Sequence, residues 1–388
     1  MKKFFFSLLW ECNENCLFCA KGKAPAGAKP RFSPKEAEAL LRQKRKEGCE
    51  AVSLDGGEPA LLSYLPRLIG AAARLGYKEI ELLTNGTVLA DPKKVAAIKR
   101  ALAPCKDKVR FGACVSLHSH RREISESLTR SAGTFDRTVR GIRNLIAAGA
   151  YTTIYHLITA PTYRSLPAFA DFAIRKFPGA GGVTFSYIYP VSHNLEHMSI
   201  YPRLSKVGPY LSRAVAKLRG KGLEVSLSNC GLIPVCLMGG CETLFTGSAL
   251  GSDPASETRD TSKAETLPFF TELFNRQNKT KPPACAACAL TPVCGGIWNF
   301  YYERFGAGEL KPYTKKTLAR LPASGGTAVL AVKKTGADAL PPLLARLLDL
   351  RYRGFVKVKL AGPGAAGLAK TAAFRNFASD LGFSRISL

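Results

Sequence analysis

Residues 2–19 read KKFFFSLLWECNENCLFC, a short apolar and aromatic run followed by a loop with cysteines at 12, 16 and 19. Phe4–Leu9 predicts a buried strand, because its apolar residues are contiguous and lack a helical period. Lys2 and Lys3 imitate the front of a secretory signal, yet Glu11 follows at once and no small-x-small cleavage site appears, which favours a first strand. Three thiols this close suit a soft metal centre, either an iron–sulfur cluster or zinc. Structural zinc takes four protein ligands, so three local thiols leave a distant fourth ligand or an open coordination position.

Working outward, strand-like and helix-like segments alternate to about residue 230. SPKEAEALLRQKRKEG carries Ser33 as N-cap, Pro34 at the first helical position, Glu36 closing a capping box and Gly48 past the end. AVSL (51–54) follows as a strand, then helix 64–75, strand EIELLT (79–84) and a helix opened by Asp91-Pro92. Further strands are expected at 109–117, 152–158, 183–189 and 224–227, with helices at 134–149, 165–177 and 205–219 between them. Repeated strand–helix units require parallel strands with helices outside, in a partly closed barrel or a doubly wound sheet. Either places ligands at the carboxyl ends of the strands.

Beyond residue 230 the composition shifts. Residues 246–266 read as a surface loop, cysteines crowd 285–294, and from about 325 GTAVLAVKK, LPPLLARLLDL, FVKVKLA, LAKTAAFRNFASDLG and SRISL predict a βαβαβ appendage. The expected domains are therefore 1–229, 230–312 and 325–388. With 56 basic against 29 acidic residues the chain carries +27, which favours a polyanion such as RNA or an acidic peptide as partner. No apolar run reaches the ~18 residues needed to span a bilayer. Twelve cysteines, most of them closely spaced, without a credible signal peptide, point to metal or cluster ligation in a reducing, cytoplasmic setting rather than to disulfides.

The C-x3-C-x2-C loop after a first strand resembles the signature of the radical S-adenosylmethionine (SAM) superfamily. That resemblance implies a partial (β/α)6 TIM-like barrel in which Cys12, Cys16 and Cys19 hold three irons of a [4Fe–4S] cluster, the fourth iron staying open for SAM. A zinc knuckle or a bridging pair is the plainer alternative. The aromatic position before the last cysteine is filled by Phe18. Downstream, in order and at strand ends, stand DGGEP (55–59), TNG (84–86) and VSLHSH (115–120). By the same resemblance Gly56, Gly57, Glu58 and Pro59 contact the SAM methionine, and Thr84 and Asn85 close the third strand beside it. Ser116 and His118 share the face opposite Val115 and Leu117, towards the lumen; Thr184 and Ser186 have similar parity, and Tyr155, His156 and Tyr187 lie on neighbouring strands. Taken alone, GGEP and TNG are ordinary turns. No match to the family's further glycine-rich adenine motif follows the fifth strand.

CAACALTPVCGG (285–296) looks like the auxiliary-cluster extension of these enzymes known as SPASM or Twitch. Cys285, Cys288 and Cys294 supply three thiols; Trp298 stands where a further cysteine often occurs, so an upstream thiol completes the set. Cys236 of IPVCLMGGC is the choice, with Cys230 and Cys241 as alternatives, and a zinc ribbon joins the same segments in the competing reading. Cys49, Cys105 and Cys114 are isolated and suit packing roles. The resemblance implies reductive SAM cleavage and hydrogen abstraction, with a low-potential donor such as ferredoxin or flavodoxin. It implies a peptide or protein substrate, with RNA modification and a non-catalytic metal-binding adaptor as alternatives.

Overall fold

A computed structural model describes residues 1–21, 32–190, 192–228, 233–242, 244, 257–259, 278–321, 323, 325–333 and 339–388. Cys230 and most of the 246–266 stretch lie outside the described residues. The chain divides into two compact units, one of Met1–Pro202, Arg213–Cys230 and Asp253–Phe270, the other of Arg203–Ser212, Gly231–Ser252 and Thr271–Leu388. The segments 230–312 and 325–388, read apart in the sequence, thus fall largely in one unit. Among the described residues no helix is long and apolar enough to cross a membrane.

The first unit is built on β1 (Lys3–Ser7), β2 (Ala51–Asp55), β3 (Glu79–Thr84), β4 (Arg110–Ser116), β5 (Tyr151–Ile158), β6 (Gly182–Tyr187) and β7 (Glu224–Leu227). They pair in chain order, all parallel, as the partial barrel of a (β/α) fold. Within the stretch expected as a loop, Glu257–Arg259 forms β8 and pairs parallel with β1 on the far edge. One sheet face is apolar and buried, carrying Phe4, Phe6, Val52, Leu54, Ile80, Leu82, Val115, Ile154, Val183 and Phe185. The alternate residues form a polar inner face. There Glu81 accepts from Lys3 Nζ at 2.6 Å and from Ser53 Oγ at 2.9 Å, and Thr184 pairs with Ser226 at 2.9 Å.

Helices α1 (Pro34–Lys46), α2 (Leu65–Arg74), α3 (Pro92–Leu102), α4 (Arg122–Thr129), α5 (Thr134–Ala147) and α6 (Leu166–Lys176) fill the crossovers. At the start of α1 the Glu36 N–H donates to Ser33 Oγ at 3.3 Å and the Ser33 N–H to Glu36 Oε2 at 2.8 Å, so orphan amide groups are satisfied in both directions. Its Ala37 and Leu41 are buried. Helix α4 was not expected from the sequence: RREISESLT offers only Ile124 and Leu128 as large apolar residues and no N-cap side chain.

In the second unit β9 (Lys279–Thr280) and β10 (Ile297–Trp298) pair antiparallel. A three-stranded parallel sheet follows, β11 (Thr327–Ala331), β12 (Lys357–Ala361) and β13 (Arg385–Ser387), in that order. Its connections are one long helix, Leu340–Tyr352, and a pair, Ala365–Lys370 and Ala372–Asp380. The sequence predicted one helix where that pair stands; Thr371, at φ −71° and ψ 116°, breaks it. Arg351 is 3% exposed and has main-chain oxygens as its hydrogen-bond acceptors, Leu381 O and Leu321 O at 2.9 Å and Leu318 O at 3.5 Å. Those carbonyls end two helical segments, where a cation is favoured.

Candidate active site

The loop after β1 is held from two directions. From one side the Asn15 N–H donates to Thr129 O at 3.0 Å and the Leu17 N–H to Leu128 O at 2.9 Å, both at the end of α4. Arg130, in the left-handed region at φ 49°, clasps Asn15 through its main-chain oxygen at 2.7 Å and its Oδ1 at 2.8 Å. From the other side Asn85 Nδ2 donates to Asn13 Oδ1 at 2.8 Å, Asn13 Nδ2 donates to Thr87 Oγ1 at 2.7 Å, and Thr87 donates through its amide and hydroxyl to Asn85 Oδ1. Asn85 Nδ2 also lies 3.9 Å from Cys12 Sγ. Asn13, Asn15, Thr87 and Arg130 escaped the sequence reading because their partners are far along the chain.

GGEP packs directly against this loop. A Cβ on Gly57 would sit 1.9 Å from Glu11 O, while the Gly57 N–H donates to Leu9 O and the Glu58 N–H to Glu11 O, each at 2.8 Å. Glu58 is 1% exposed, and both of its oxygens are engaged: Ala60 N–H donates at 2.9 Å, Thr84 Oγ1 at 2.6 Å and Asn85 N–H at 2.6 Å. Burial pushes its carboxyl up while these donors oppose the shift. The side chain therefore ties the end of β2 to the end of β3. The glycines let residues 9–11 pack against that junction, where a Cβ on either would run into the main chain of Leu9 or Glu11.

Phe18 meets His118 edge-on, ring centroids 4.5 Å apart, and its main-chain oxygen receives Asn194 Nδ2 at 3.4 Å. His118 Nδ1 accepts the Leu157 N–H at 3.1 Å, so the ring proton sits on Nε2. His156 shows the opposite tautomer: Nδ1 lies 3.1 Å from Leu117 O, which can only accept. His156 faces the helix layer, 4.0 Å from the Phe169 ring, not the lumen, and its buried Nε2 has no hydrogen-bond partner among the described residues. Burial takes both histidines down to about 3. Ser116 is half-buried on the inner face opposite Tyr155, with Cys114 two residues below it on the same side.

The three thiols differ in exposure, Cys12 being exposed and Cys16 and Cys19 half-buried. Although Cys12 as a whole is exposed, desolvation of its thiol and the nearby Glu58 and Glu14 charges push it up to about 11; burial raises Cys16 further, and Cys16 Sγ donates to Glu14 Oε2 at 3.6 Å. Thiols kept protonated by burial become thiolates only beside added positive charge, which a cluster's irons supply; the donor set fits such a group. Lys21 bonds to Ser7 Oγ and lies 5.1 Å from the Trp10 ring, with Asp55 near enough to offset part of the burial that lowers it.

The second unit holds its own thiol pocket, partly open to solvent. Cys236, Cys285, Cys288 and Cys294 all line it, together with Lys281 and Tyr313. Local turns aim them: Cys288 N–H donates to Cys285 O at 3.1 Å, Cys294 N–H to Leu290 O at 3.0 Å, and Thr291 Oγ1 to Cys285 O at 3.0 Å. Cys236 sits in the 3₁₀ turn Val235–Leu237, and burial pushes it up to about 11. Cys241 is buried and does not line the pocket. Trp298, at the position of the missing cysteine, is 2% exposed with Lys279 Nζ 4.3 Å from its ring. Among the described residues no three His, Cys, Asp or Glu side chains close around a single metal ion.

Residues 11–173 match the family described as the Radical SAM superfamily. The chain carries a radical SAM domain. Such a domain carries the expectation of SAM and a [4Fe–4S] cluster as cofactors. A probable GTP 3',8-cyclase of Saccharolobus solfataricus is 25% identical over 211 residues, 54% of this chain and 65% of that protein. One from Methanopyrus kandleri is 29% identical over 234 residues, 56% of this chain and 71% of its own length. Among solved structures, Streptococcus suis SuiB bound to SAM shares the fold over 80% of this chain and 76% of its own, at TM-score 0.53 and 16% identity. SuiB bound to its precursor peptide SuiA covers 80% and 74%, at TM-score 0.50 and 17% identity.

Proposed function

We propose that Cys12, Cys16 and Cys19 hold the SAM-binding cluster, that main chain at Gly56 and Gly57 receives the methionine end of SAM, and that Phe18 and His118 wall the nucleotide end. When bound, cluster and SAM supply a one-electron cleavage and, from it, a radical that removes a hydrogen atom from the substrate. The chain's own residues position the partners: the Glu58 and Asn85 networks fix the loop, and the edge-on contact with His118 fixes the Phe18 ring. Cys236, Cys285, Cys288 and Cys294 hold an auxiliary cluster. With four protein thiols to hold it, such a group would supply electron exchange and not substrate binding, with a low-potential donor such as ferredoxin or flavodoxin as the outside source.

The substrate is a peptide or protein segment held on the lumen wall. The observation that carries this reading is the character of that wall. Ser116, Tyr155, Thr184, Ser186 and Ser226 are neutral hydrogen-bonding groups, and β5, β6 and β7 contain no Lys or Arg. A polyphosphate needs cations, whereas a peptide is satisfied by neutral donors and acceptors. SuiB, solved with a precursor peptide, shares the fold over most of the chain. A second reading, a nucleotide such as GTP, draws on the named activity of the relatives. The test is 5′-deoxyadenosine release by anaerobically reconstituted enzyme under strong reductant, with GTP and with short peptides encoded beside its gene. Stimulation by a peptide supports the first reading; stimulation by GTP alone overturns it.

A further inference from the structure

The small sheet β11–β12–β13 breaks a general pattern. Parallel sheets are normally covered on both faces. Here both crossovers advance in one direction, and right-handed crossovers of that kind lay their helices on one face. Ala328, Leu330, Val358 and Leu360 fill the covered face. The other face is bare: Thr327, Val329, Ala331, Lys357, Lys359 and Arg385 are all exposed, Val329 by 63%.

The bare face has two strips. Along β11 run Thr327, Val329 and Ala331, neutral and mostly apolar. Beside them stand Lys357 and Lys359 on β12, and Arg385, which pairs in register with Lys357. Like charges directly opposite on neighbouring strands repel. The three strands carry no Asp or Glu, and none of these cations has an ion pair among the described residues. Among the described residues nothing offsets the repulsion.

We propose that this face docks one amphipathic helix of another polypeptide, its apolar stripe on Val329 and Ala331 and an acidic flank over Lys357, Lys359 and Arg385. The dimensions suit that occupant. Three strands at ~4.8 Å spacing span roughly 10 Å, about one helix diameter, and five residues of strand extend ~17 Å, the length of about three helical turns. A nucleic-acid strand would satisfy the cations but leave Val329 exposed, and none of the three strands carries an aromatic ring on which a base could stack. A helix covers both strips and completes the second layer of the sheet. The inference does not rest on the substrate assigned above.

The test uses the full reconstituted chain and three labelled probes read by fluorescence anisotropy at physiological salt. These are a 14-residue helical peptide with an Ala/Leu stripe flanked by Glu, a scramble of the same composition, and a 14-nucleotide oligouridylate. Binding of the patterned peptide at least tenfold tighter than of its scramble is expected, with at least a tenfold loss in both K357E/K359E and Val329→Asp. Basal 5′-deoxyadenosine release and circular dichroism should be unchanged in these variants. Equal binding of the scramble, or a patterned-peptide affinity indifferent to Val329→Asp, overturns the proposal. Oligouridylate that displaces the peptide and is lost only in K357E/K359E assigns the face to RNA instead. A dimer that dissolves on Val329→Asp assigns it to a second copy of the chain.

Discussion

Gly57→Ala is the sharpest perturbation available at the SAM site. The added methyl would meet Glu11 O at 1.9 Å, Glu11 C at 2.5 Å and Trp10 O at 2.6 Å. All three are main-chain atoms and cannot swing aside as a flexible side chain would. Reaching the 3.0 Å that real Cβ atoms respect requires the two segments to part by about 1.1 Å (3.0 − 1.9). That displacement stretches two 2.8 Å bonds, Gly57 N–H to Leu9 O and Glu58 N–H to Glu11 O, each worth about 0.5–1.5 kcal/mol. Glu11 is bonded to Cys12, so the movement reaches the first thiol directly. A misplacement of about 1 Å costs on the order of 100-fold in rate when reacting groups must be aligned. The expected result is a roughly 100-fold fall in 5′-deoxyadenosine release, with iron in the second unit retained. An alanine variant that keeps more than half the wild-type rate would refute the view that this glycine sets the distance of the cysteine loop from the end of β2.

Three further outcomes follow from the same geometry. Cys236→Ser should lower iron and sulfide from roughly eight of each per chain towards four while leaving SAM-dependent perturbation of the first cluster intact; full iron content, or zinc in its place, counts against the four-thiol assignment. His118 and His156 are held at about 3 in the fold against ~6.5 when unfolded. The unfolded chain therefore binds the extra protons between those values, and stability rises with pH up to about 6.5 and is lost below it. Each ring contributes a slope of up to ~1.4 kcal/mol per pH unit, so His156→Phe should remove about half of the pair's slope in urea unfolding between pH 4 and 5.5; an unchanged slope is the contrary result. Arg351→Leu leaves the carbonyls of Leu321 and Leu381 without their donor and should destabilise the second unit by about 2–4 kcal/mol, read as a lowered midpoint or faster proteolysis of residues 315–388.

The barrel was legible because its signals are local. Alternating apolar runs, the Ser33–Pro34–Glu36 start and the ordered strand-end motifs all lie within a few residues of what they specify. The grip on the cysteine loop was not. Leu128 and Thr129 hold it through main-chain oxygens, which leave no mark on side-chain identity, and the charged sequence of α4 hides the helix that presents them. Glu58 shows another limit: its place in a motif suggested a cofactor contact, whereas its oxygens are spent on Ala60, Thr84 and Asn85. His156 lies on a strand picked out in the sequence, yet parity turns it towards the helices. Spacing alone gathered Cys285, Cys288 and Cys294; only the folded chain brings Cys236 to the same pocket across the intervening 48 residues.

Every thiol of the first loop belongs to one compact unit, and every thiol of the auxiliary pocket belongs to the other. On the ligand sets proposed above, each centre would draw all of its sulfur from its own unit. Damage by oxygen at one would leave a half-charged protein, still coloured and still folded, whose inactivity no metal stain alone would reveal.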